Sequence, residues 1–126
     1  MVRSADVLLQ LAHEGLQEAA ASTSPARRYA AAHLSALRSA AAVLATRTVS
    51  SGPAARTRPT SAWVLLSRVA PELAEWAQFF AAGAEKRAAA EAGLAGVVTP
   101  READDLLRDA EAFLSVVETT LLARAG

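Results

Sequence analysis

Apolar residues recur at steps of three and four along four runs of this 126-residue chain. That is the period of an amphipathic helix and not the alternation of a strand. In the first run Leu8, Leu9, Ala12, Leu16 and Ala19 make one stripe, Ser4 is placed to cap, and Asp6 suits the positive N-terminal end. The spacing predicts a helix ending near Ala21. Ser24-Pro25 then opens a second helix with a cap residue followed by proline at the first helical position. It runs to about Arg47 with Tyr29, Ala30, His33, Leu37, Ala40 and Leu44 on one face. Its many alanines invite close approach by a neighbour.

The third run, Ser61 to Gly93, holds both tryptophans and two of the three phenylalanines. Leu66, Val69, Leu73, Trp76, Phe80 and Gly83 align along it, and it reads as the long central helix. Pro71 lacks the N–H that bonds back one turn and restrains Ala70, so a kink or break is expected, with 61–69 and 71–92 as separate segments. The last helix opens at Thr99-Pro100-Arg101-Glu102, a capping box. Ala103, Leu107, Ala110, Leu114, Val117 and Leu121 form its seam, and Leu106, Phe113 and Val116 a second row, for a second neighbour or a dimer surface. The expected fold is an all-α bundle of four principal antiparallel helices, one domain over 1–126 with its core at about 5–122.

Composition narrows the chemistry. No cysteine is present, which excludes disulfides, thiolate metal sites and cysteine nucleophiles. His13 and His33 stand apart from any HxxxH or ExxH pairing, so no metal site is expected, and no phosphate loop or nucleophile motif calls for a cofactor. The acids Glu102, Asp104, Asp105 and Asp109 could suggest metal binding, but the dipole at a helix start and solvation account for them. Trp76, Phe79 and Phe80 could line a pocket, and at helical spacing they read as core. No membrane-length apolar run or leader pattern is seen, so a cytoplasmic protein is expected.

Charge is uneven. Residues 1–63 carry seven arginines against three acids (+4) and residues 64–126 six bases against ten acids (−4). Two helical pairs complementing each other account for this, and a basic surface for phosphates is the sharper reading. Thr46 to Pro59 contains no acid and reads as a mobile basic loop, so Arg47, Arg56 and Arg58, with Arg38 on the second helix, are the candidate nucleic-acid or phosphate contacts.

One constellation remains, Arg27-Arg28-Tyr29-Ala30-Ala31-Ala32-His33. This segment, with SAWVLLSRVAPELAEWAQFFAAGAEKRAAAEAG and TPREADDLLRDAEAFLSVVE, resembles the HEPN superfamily, and more closely its actinobacterial SAV_6107-like branch, over about residues 20–120. The resemblance implies a helical bundle, often a homodimer, a genomically paired protein as partner, and RNA or a nucleotide as ligand. In active relatives it implies metal-independent ribonuclease chemistry from an arginine followed by four to six residues and a histidine. Arg28 or Arg27 with His33 meets that spacing. His33 would act as acid or base and the arginine would steady the phosphate. Positions five apart point about 140° from each other on a helix, so Arg28 and His33 would need a composite arrangement. The other reading makes His33 a core-edge residue beside Tyr29 and Leu37, bonded to a neighbouring helix. The expected function is a dimeric interaction or nucleic-acid or nucleotide-binding module, with the ribonuclease as its alternative.

Overall fold

The structure is a computed structural model that describes residues 4–47 and 59–125. Its regular elements are all helical: α1 (Ala5–Ala21), α2 (Pro25–Arg47), α3 (Pro59–Val69), a 3-10 turn (Pro71–Leu73), α4 (Ala74–Ala82), α5 (Ala84–Glu91) and α6 (Pro100–Ala125). Most of the expected loop, with Arg56 and Arg58, lies outside the described residues.

The helix starts follow from local hydrogen bonds. Val7 N–H donates to Ser4 Oγ at 3.3 Å, and Arg27 N–H to Ser24 Oγ at 3.2 Å. At α6 the capping box closes in both directions, Glu102 N–H to Thr99 Oγ1 at 3.1 Å and Thr99 N–H to Glu102 Oε1 at 2.9 Å. Each satisfies backbone donors that have no partner inside the helix.

The third run is divided twice. At Pro71 the chain leaves the helix through Ala70 (φ −137°, ψ 72°), as proline requires. The second break, at Gly83, is not marked by proline. Here the Phe80 carbonyl accepts the Gly83 N–H at 3.0 Å and the His33 Nε2–H at 2.7 Å. A Cβ on Gly83 would sit 2.7 Å from the Tyr29 hydroxyl, so glycine is what lets α2 come this close.

Nor is the run central. The axis of the bundle is α2, which packs against α1, α3, α5 and α6. Its alanine and serine positions make this possible: Ala32, Ser35, Ala36, Ser39 and Ala40 are fully buried, and a Cβ at Gly15 of α1 would lie 2.1 Å from Ser35 Oγ. The third run instead supplies bulk. Trp63 and Phe80 stack with ring centres 5.4 Å apart, and Phe113 of α6 lies 5.2 Å from Phe80 and 5.4 Å from Trp76. In the second row of α6, Leu106 and Phe113 are buried inside the chain and Val116 is half-buried, so that row serves a second neighbour. Phe79 departs from the expected core position and is 46% exposed.

Candidate functional site

Adjacent residues at the start of α2 meet different fates. Arg28 reaches back over the C-terminal end of α1, where carbonyls lack helical partners and the dipole is negative. Its Nε donates to the Ala19 carbonyl at 3.0 Å, one terminal nitrogen to Ser22 (2.6 Å) and Ala20 (3.3 Å), and the other to Asp104 of α6. The side chain therefore joins three helices. Arg27 is exposed, and its guanidinium has no partner among the described residues.

His33 is 1% exposed. Its Nε2 carries the proton, since the Phe80 carbonyl it meets can only accept. The ring lies edge-on to Trp63 and Phe80 and stacks on Tyr29 at 6.4 Å, and its buried Nδ1 has no hydrogen-bond partner among the described residues. Burial holds the imidazole below its ordinary pKa. The Phe80 bond pulls it back up, Arg87 pushes it down and Glu91 raises it. The neutral ring, carrying no charge into the core, is the form that suits this environment. Arg28 and His33 are thus occupied by separate sets of partners.

The other expected phosphate contacts divide as well. Arg47 spans the end of α3, donating to the Val69 carbonyl at 3.2 Å and to Glu72 at 2.7 Å. It repeats at α3 what Arg28 does at α1. Arg38 is half-buried on α2 and has no hydrogen bond or ion pair among the described residues. Arg27 and Arg38, eleven positions apart, fall about 20° from each other around the helix, so they share a stripe with Ala31 and Leu34.

The sequence reading missed the cations beside His33 and Tyr29, Arg87 and Lys86. Arg87 bonds Glu91 at 3.3 Å along α5, and Lys86 pairs with Glu102 of α6. That bond raises the Lys86 pKa and lowers that of Glu102. Burial raises the Tyr29 phenol, with Lys86 pulling it down. The one signal in the chain was the glycine at 83, and it does not name α2 as its neighbour. Among the described residues no group of three or more histidine or acidic side chains is placed to hold a metal ion.

What lies open is a cleft of about 1090 Å³ between the α1–α2 turn and the α5–α6 connection. Ala26, Ala30, Ala31 and Leu34 of α2 line it, with Arg27, Glu18 and Glu91 as its charges. The α5–α6 connection turns at Gly93 (φ 78°) and Gly96 (φ 73°), a backbone region that favours glycine, and leaves Leu94 58% exposed beside the cleft.

Among the described residues no helix is long and apolar enough to cross a membrane. Comparison with the curated proteins and with the solved structures returns no match. The model of one family does match, over residues 19–118, from the end of α1 through most of α6. The chain belongs to the SAV_6107-like HEPN family.

Proposed function

We propose that this protein is a non-catalytic HEPN-family interaction module that pairs with a second copy of itself through the cleft on α2. The observation that carries this reading is the use of His33 as a structural bond between α2 and the break at Phe80, with 1% exposure. A general acid or base must reach the proton it transfers, and this imidazole reaches a backbone carbonyl.

The cleft supports self-pairing through its composition. It offers small apolar residues, an exposed Leu94, and charges of both signs, Arg27 with Glu18 and Glu91. A patch bearing both signs is self-complementary across a two-fold axis, which can set each arginine against a partner carboxylate. Two carboxylates against one guanidinium also disfavour a polyanion in the same place. Phosphate contact finds its support instead in Arg38, which lies outside the cleft and has no ion pair among the described residues. It is expected to be weak and lost as salt rises.

The test is turnover of a mixed RNA substrate in EDTA by wild-type and His33→Ala protein, with light scattering on the same samples. The reading expects no cleavage above background, a dimer, and a helical monomer from Leu94→Asp. Cleavage by the wild type that disappears in a folded His33→Ala variant would replace it with the metal-independent ribonuclease, and a monomeric wild type would remove the self-pairing.

A further inference from the structure

On the far side of the aromatic core, Glu75, Trp76 and Phe79 of α4 and Asp109 of α6 line an open pocket of about 320 Å³. Trp76 is fixed from within by stacking on Phe80 at 6.2 Å and by Phe113 at 5.4 Å, and it is half-buried. Phe79 sits edge-on to Phe80 at 5.0 Å and is open to solvent. Phe79 is thus spent on the surface, and Trp76, half-buried against the core, also lines the pocket. Aromatic faces carry negative charge density and attract cations.

Like Glu111 farther along α6, the carboxylates of the pocket differ from the paired acids at the start of that helix. Glu102 pairs with Lys86, Asp104 with Arg28 and Asp105 with Arg108, whereas Glu75 and Asp109 have no ion pair or hydrogen bond among the described residues. Burial raises the Asp109 carboxyl, the charge of Asp105 raises it further, and Arg108 lowers it. A cation arriving in the pocket would relieve this.

We propose that the Glu75, Trp76, Phe79 and Asp109 pocket receives an arginine side chain from a basic segment of a partner protein. A guanidinium is flat and weakly hydrated, stacks on an aromatic face, and forks onto a carboxylate, which an ammonium does less well. The volume is at the small end for a ligand site and suits one side chain rather than a cofactor. Single exposed contacts of these kinds are individually weak, so the arginine must come with a segment that makes further contacts. This inference rests on neither the cleft nor self-pairing.

Tryptophan emission reads the pocket, because Trp63 is 2% exposed and buried on the other side of Phe80. The full chain is titrated with a hexa-arginine peptide, a hexa-lysine peptide and spermidine. The expected result is a saturable change in Trp76 emission with hexa-arginine, absent in Trp76→Phe, and at least tenfold weaker binding in both Phe79→Ala and Asp109→Asn. Glu111→Gln, an acid removed outside the pocket, should bind as the wild type does. The proposal fails if no saturable change appears, if Glu111→Gln weakens binding as much as Asp109→Asn, or if spermidine binds as tightly as the peptide. Loss of a dimer in Phe79→Ala would assign the pocket to a second copy and overturn it as well.

Discussion

The two sides of α2 are packed by opposite means. Toward α1 the contact is made of small residues, with Gly15 against Ser35 and Ala12, Ala19, Ala32 and Ala36 fully buried. Toward α3, α4 and α6 it is made of rings, with Trp63, Phe80 and Phe113 closing on His33 and Trp76 on their outer side. Helices on the first side are long and uninterrupted, while on the second α3 to α5 are short pieces and only α6 runs unbroken. Small side chains let straight helices lie close along their length. Large ones fill space from a few points, so the backbone carrying them can break at Pro71 and Gly83 without opening a void. Each side should therefore fail to a different insult, the ring side to truncation and the small side to enlargement.

The largest effect is expected on the ring side. Phe80→Ala removes the ring that Trp63, Trp76, Phe79, His33 and Phe113 all meet. It should cost about 3–5 kcal/mol by urea denaturation, a large fraction of the stability of an ordinary domain. His33→Ala comes next, at roughly 2–3 kcal/mol, from the cavity and the lost bond to the Phe80 carbonyl.

The same histidine gives the ring side a pH signature. Its pKa is lower in the folded chain than in the unfolded one, where it lies near 6.5. The unfolded state therefore binds more protons in the window between the two values, and stability falls as pH drops through it. Glu102, also lowered, adds an acid loss below about 4.3. Denaturation midpoints measured on either side of pH 6.5 should show the first loss in the wild type and a flatter profile in His33→Gln.

On the small side, Gly15→Ala should cost about 1–3 kcal/mol as an overpacking change, since its methyl would meet Ser35 Oγ. Ser35→Ala should recover most of this in the double variant. Alone it should be neutral or slightly stabilising, because the buried Ser35 hydroxyl has no hydrogen-bond partner among the described residues. A double-mutant cycle showing no coupling would dissolve the distinction between the two sides. The smallest effect belongs to the surface, where Asp109→Asn should shift stability by no more than about 0.5 kcal/mol. Its sign should be toward greater stability at neutral pH, because burial disfavours the charged carboxyl.

Much of the fold was legible in the residues. Ser4, Ser24-Pro25 and the Thr99 to Glu102 box mark three helix starts, and Pro71 marks a break, each acting on backbone groups within one turn of itself. The candidate site was legible only as residue types. Arg28, Arg47 and His33 have the chemistry for phosphate and proton transfer, and nothing within a few positions of them shows that it is already committed. Phe79 read as core because helical phase places it near Phe80, yet phase does not say which neighbouring helix ends short of it.

By itself the sequence determined where helices begin, where proline ends them and which stripes are apolar, because these depend on hydrogen bonds and side-chain shape over three or four residues. Only the tertiary structure decided that α2 is the axis, that Gly83 breaks the third run and that two arginines close helix ends. His33 meets Phe80 across 47 positions and Arg28 meets Asp104 across 76. At such separations local preference carries no information. The partner of a charged or polar group is chosen by whatever the packed core brings within about 3 Å of it.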